Sequence, residues 1–240
     1  MSFRFASATA VVLLAGACHV GADAEDRDPG PEVTRSYQVG AFDKLAVAGP
    51  YEVNVVTGGQ GGITAKGGEH LLAETEVVVE DGTLKIKPRK HKGIRWNWRN
   101  GKAVFTVNAA AIRGAAIAGS GGVNVDRVTG DFEGDVAGSG DLKIGAVSGG
   151  KVKLAIAGSG DVEAAGKADS VELSIAGSGD MRTGALATRT AEVSIAGSGN
   201  VEANASESAD VSIMGSGDVR IQGGAKCTVS KAGSGNVVCG

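Results

Sequence analysis

Along the second half of the chain, apolar and polar positions alternate in short runs that hinge on one tripeptide, GSG. It recurs at Gly119, Gly138, Gly158, Gly177, Gly197, Gly215 and Gly233, at spacings of 19, 20, 19, 20, 18 and 18 residues. Two residues before the first glycine stand Ile117, Val136, Ile156, Ile175, Ile195 and Ile213, and four before it stand Leu154, Leu173, Val193, Val211 and Val229. Four after it come Val123, Leu142, Val162, Met181, Val201, Val219 and Val237. Period two on both sides predicts strands with one buried face. The glycines between them predict a tight corner, because glycine tolerates positive φ and close backbone approach. A fixed period near 19 residues is a repeat signature. The pattern therefore predicts an all-β chain: a parallel β-helix of about seven rungs, 18–20 residues each, stacked at about 4.8 Å.

The polar positions carry the same register. Five residues after the first glycine stand Asn124, Lys143, Glu163, Arg182, Glu202 and Arg220, alternating in sign from Lys143 onward. Stacked rungs would make these lateral neighbours, and a slip by one rung would set like charges together. Ser174, Ser194, Ser212 and Ser230 predict a second outer row of hydroxyls. The last rung departs from the rule. Cys227 and Cys239 fall at inward positions on opposite arms of its corner, which predicts a Cys227–Cys239 disulfide in an oxidising compartment. Lys231 stands where other rungs have isoleucine or valine and reads as a polar end cap. Arg113, at an inward position before the first GSG, is expected to cap the opposite end.

A β-rich N-terminal part, residues 36–111, precedes the GSG-repeat β-helix of residues 112–240. LAVAGPYEVNVV from Leu45 and ETEVVVEDGTLKIKP from Glu74 alternate as strands, the second folded at Asp81-Gly82. AVFTV at residues 103–107 leads into the repeats, and residues 36–240 read as one continuous unit. Residues 25–35, acidic and holding Pro29 and Pro31, read as a flexible linker. Residues 1–24 read as a signal peptide: Arg4, a short apolar stretch from Ala6 to Ala17, and an A-x-A site at Ala22-Asp23-Ala24. Lipidation at Cys18 is the alternative, with Ala15 where a lipobox prefers leucine. Either route predicts an extracytoplasmic protein, periplasmic, outer-membrane associated or secreted, with no transmembrane segment after signal removal.

Composition narrows the chemistry. Aromatic residues make up 4% of the chain against 40 glycines in 240, so the core must be thin and aliphatic. A formal charge of -3 argues against nucleic acid as a partner. One segment runs against the acidic background. Residues 87–102, KPRKHKGIRWNWRNGK, hold both tryptophans of the chain among seven lysines and arginines. Trp96, Trp98, Arg95, Arg99, Lys90 and Lys92 are the candidate binding residues, suited to an anionic cell-envelope glycan, lipopolysaccharide or a surface protein. The plainer alternative is a solvated hairpin whose indoles cover the front of the core. Asp141, Asp161, Asp180, Asn200, Asp218 and Asn236 form a corner row that could hold calcium, or could serve only to satisfy turn N–H groups. No Ser-His-Asp arrangement or metal-ligand spacing is visible, so no catalytic residue, metal or cofactor is expected.

FDKLAVAGPYEVNVVTG near Phe42, LLAETEVVVEDGTLKIKP and the repeated AGSGDV-like corners together resemble the bacterial head GIN domain family, described as putative auto-transporter adhesins. The resemblance spans residues 36–240 and implies a β-helical, extracytoplasmic protein with no agreed catalytic residues. The chain leaves no room for a C-terminal membrane barrel. The expectation is an exported, non-enzymatic adhesion or envelope-binding module. A self-associating structural envelope protein and a polysaccharide-active enzyme are the alternatives.

Overall fold

The computed structural model describes residues 25–59, 61–89, 96–98 and 101–240, with the backbone alone for 25–27 and 96–98. The alternating runs form a nearly closed all-β solenoid of about seven turns. Each turn has two arms joined by the glycine corner, and each arm pairs in parallel with its equivalents above and below. Before the corner, Lys151–Gly158 pairs with Phe132–Gly138 on one side and Ser170–Gly177 on the other. After it, Asp141–Ser148 pairs with Gly122–Thr129 and Val162–Lys167. The register runs residue for residue through the corner, so Gly158 faces both Gly138 and Gly177. Burial follows the predicted rows: Leu154, Ile156, Val162, Leu173, Ile175, Met181, Val193 and Ile195 all lie inside.

The front part is β-rich and continues both ladders, but out of chain order. Lys44–Ala48 stacks on Gly114–Gly119, and Tyr51–Thr57 on Gly122–Thr129. On the far side of these lie Thr83–Pro88 and Ala103–Ala109. The chain thus lays one rung, moves outward to lay the next, and returns beneath the first to begin the GSG series. Two antiparallel additions cover the outer rung. Gly62–Gly68 pairs with Ala103–Ala109 and then with Glu32–Tyr37. Thr75–Glu80 folds back on Thr83–Pro88, with positive φ at both Asp81 and Gly82 as such a tight hairpin requires. A short helix, Glu69–Ala73, buries Leu71 and Leu72 there.

Three aromatics pack together at this end. Tyr51 and Phe105 are buried and meet edge to face, with centroids 5.6 Å apart, and Tyr37 packs on Phe105 at 6.4 Å. Thr75 Oγ1 lies 3.1 Å from the Tyr51 hydroxyl and donates to the Leu71 carbonyl. Burial raises the pKa of Tyr51.

Two expectations differ from the structure. Residues 25–35 contain strand Glu25–Arg27 and the start of Glu32–Tyr37, the latter held by the sheet rather than left as a free spacer. Arg113 is exposed, mid-stack, and bridges to Asp43 through its guanidinium. It cannot cap an end, because two further rungs lie beyond it.

Candidate functional site

The GSG corner explains its own sequence. The first glycine has positive φ, +141° at Gly158 and +140° at Gly177. A Cβ on Gly177 would stand 2.1 Å from the Gly158 carbonyl oxygen. A Cβ on Gly179, whose φ is unremarkable, would stand 2.0 Å from Gly160 O. The corner carbonyls therefore point along the stack into the next rung, and only hydrogen fits in front of them. Between the glycines, the serine amide of one rung donates to a glycine carbonyl of the rung before, as in Ser178 N–H to Gly158 O at 2.8 Å.

The acidic corner row is also a ladder. Asp141 Oδ1 accepts the amide of Asp161, Asp161 Oδ1 that of Asp180, and Asp180 Oδ1 that of Asn200. Asn200 Oδ1 then accepts from Asp218, and Asp218 Oδ1 from Asn236. These bonds run between rungs rather than within one turn. They commit one oxygen of each residue from Asp141 to Asp218 to the stack, which favours the backbone-satisfying role over calcium.

The charged row forms where its geometry allows. Lys143 Nζ lies 3.0 Å from Glu163 Oε2, and Arg182 Nη1 lies 3.7 Å from Glu163 Oε1. Arg182 also reaches Asp161 at 2.9 Å and Asp180 at 3.4 Å, and the Asp161 carboxylate raises its pKa. A shallow cleft of about 400 Å³ runs beside this row over Gly145, Ala165 and Gly184, with Gln222 at its end. Its charged wall is largely neutralised by its own ion pairs, so it has little unpaired charge to recruit a ligand.

One connection is unlike the rest. Thr83–Pro88 and Ala103–Ala109 pair with Lys44–Ala48 and Tyr51–Thr57, which are consecutive arms around Gly49-Pro50. They are therefore the two arms of one rung, joined in sequence through residues 89–102. The basic, tryptophan-bearing segment thus links two arms that other rungs join through two or three residues. The Arg89 amide anchors its start to Glu74 O at 2.8 Å. The backbone of Trp96–Trp98 pairs in parallel with Glu25–Arg27. Lys90, Lys92, Arg95 and Arg99, and the side chains of Trp96 and Trp98, lie outside the described residues. The sequence marked the composition of this segment but not its place in the register, since the repeat spacing starts only at Gly119.

At the other end, Cys227 and Cys239 are joined across the last corner. Lys231 Nζ donates to Gly235 O at 2.7 Å.

The family of head GIN domains, "putative auto-transporter adhesin", matches residues 41–225. A crystal structure of a putative adhesin from Bacteroides fragilis superposes with a TM-score of 0.82 at 26% identity, covering 89% of this chain and 99% of that one. A putative lipid binding protein from Parabacteroides distasonis shares the fold, with a TM-score of 0.71 at 24% identity over 90% of this chain and 100% of its own. A putative adhesin from Parabacteroides merdae does so at 0.67 and 19%, over 90% and 100%. No curated protein sequence matches the chain.

Proposed function

The chain belongs to the head GIN domain family of putative auto-transporter adhesins, and from that premise we propose that it is an exported, non-enzymatic binding module of the cell envelope. Its contact element is the basic, tryptophan-bearing segment of residues 89–102. The observation that carries this reading is the length of the connection: two arms that other rungs join through two or three residues are joined here by fourteen, positions 89–102. They include both tryptophans of the chain. Indoles interleaved with guanidinium and ammonium groups suit anionic glycan, lipopolysaccharide or a surface protein. The signal-like N-terminus and the disulfide support an extracytoplasmic address. Among the described residues, no helix is long and apolar enough to cross a membrane.

Co-sedimentation with outer-membrane vesicles and with peptidoglycan, at low and moderate salt, tests this. The parent protein should pellet in a salt-sensitive manner, and a Trp96→Ala, Trp98→Ala double variant should stay in the supernatant. Equal pelleting by the two proteins would move the site away from this segment. Absence of binding by either would overturn the envelope-contact reading.

A further inference from the structure

The last rung is a sheet edge. Lys226–Gly233 pairs with residues 208–215, and Val237–Cys239 with Val219–Gln222; among the described residues neither has a neighbour on its outer side. Inward positions that are nearly closed to solvent elsewhere are open here: Val229 is 47% exposed, against 3% for Val211 and 0% for Val193. An unpaired, partly apolar edge of regular parallel strand is a template for another chain.

We infer that Lys231 terminates the stack, preventing this end from joining the same end of a second copy. In every earlier rung the inward position equivalent to Lys231 is apolar, ending with Ile213 directly beneath it. The second glycine of each GSG corner aims its carbonyl at the next rung, as Gly160 O does toward Gly179 and Gly217 O toward Gly235. By the same repeat, Gly235 O points to where another rung would lie. Lys231 Nζ is bonded to that oxygen. The ammonium thus occupies the approach to the corner and sets a charge over the exposed Val229. Two such ends meeting face to face would bring two ammonium groups into a closing apolar contact, which costs far more than leaving the edge in water. An inward lysine on an edge strand is a known physical means of blocking edge-to-edge pairing.

The geometry also limits what is blocked. The opposite end is covered by Gly62–Gly68, Glu32–Tyr37 and the hairpin strand Thr75–Glu80. Among the described residues the parallel ladder is open only at the Lys231 end, so two copies joined through it should form a closed two-fold dimer rather than a filament.

Sedimentation velocity over a protein concentration series tests this with the purified parent, Lys231→Ile and Lys231→Gln. The parent should remain a single chain. Lys231→Ile should form dimers at concentrations at least about tenfold below any at which the parent does so, and Lys231→Gln should fall between them. Circular dichroism shows whether each variant is folded; if Lys231→Ile is insoluble, Lys231→Gln alone decides. A folded variant series that stays monomeric over the parent's range would overturn the inference. So would a parent that already dimerises through this end, or open-ended polymers of Lys231→Ile.

Discussion

The two ends of the stack solve one problem with different chemistry. A solenoid buries each rung against its neighbours, so its two terminal rungs would each leave a face open. At the front the chain spends residues 32–37 and 62–80 on antiparallel strands and a helix, and Tyr37 of that layer packs on Phe105, which meets Tyr51. At the back nothing described covers the last rung. Instead Cys227–Cys239 ties its two arms together, and Lys231 closes its corner. One end is closed by packing and the other by a covalent bond and a charge. Because a stack transmits stability mainly between adjacent rungs, the two ends should respond separately to mutation.

Phe105→Ala should have the largest effect. Its ring is fully buried and contacts both Tyr51 and Tyr37, so truncation should cost about 3–5 kcal/mol. Hydrogen exchange should rise through residues 32–109 and leave residues 201–240 nearly unchanged. Next comes the disulfide. Replacing Cys227 and Cys239 by serine opens a loop of sequence separation 12 and should cost about 3 kcal/mol in the chain-entropy picture. Its exchange pattern should be the reverse, rising in residues 219–240 while the front stays protected. If either variant loosens both ends equally, the stack is one cooperative unit and the contrast between the ends fails. Gly179→Ala probes the middle. Its Cβ would meet Gly160 O at 2.0 Å, and parting the rungs should cost about 1–3 kcal/mol, seen as a lower Tm with exchange raised on both sides of the corner.

The repeat was legible because its constraint is local and recurs. Each corner needs two glycines, each arm needs period two, and stacking copies both into every rung. The pairing of Cys227 with Cys239 could be read from the same register. The order of the first rungs could not. Lys44–Ala48 sits between Thr83–Pro88 and Gly114–Gly119, and nothing in strand periodicity says which strand is the neighbour of which. Gly49-Pro50 carries the corner without a GSG, so it gave no register from which to count. For that reason Arg113 reads in sequence as the start of the stack, whereas it lies inside it. The corner carboxylates were seen as a row, but whether each would bond within its own turn or across rungs depends on the stacking distance. The tryptophan segment was legible as composition alone; that it links the two arms of one rung follows only from the partners of its flanking strands.

The smallest expected effect concerns the faces rather than the ends. Glu172 lies 3.0 Å from both Lys151 Nζ and Lys153 Nζ, joining two adjacent rungs. Hydrogen bonds from Lys151 and then Lys153 hold its pKa below the usual carboxylate value, and the same contact raises that of Lys153. A carboxyl whose pKa is lowered on folding contributes stability that is present above its unfolded value and is lost as pH falls through the folded one. A lysine whose pKa is raised contributes below its unfolded value and loses that contribution at strongly alkaline pH. The trio should therefore stabilise the stack over the neutral range and weaken it on acidification. All three side chains are more than a third exposed, so solvent and salt screen the gain. Glu172→Gln should lower Tm slightly at neutral pH, by less than any substitution above, and should leave Tm unchanged at a pH well below the carboxylate range. The difference should shrink as salt is raised. An equal loss at neutral and acid pH would mean that Glu172 acts through packing of its stem rather than through its charge. The outer face would then be held, like the front end, by contact alone.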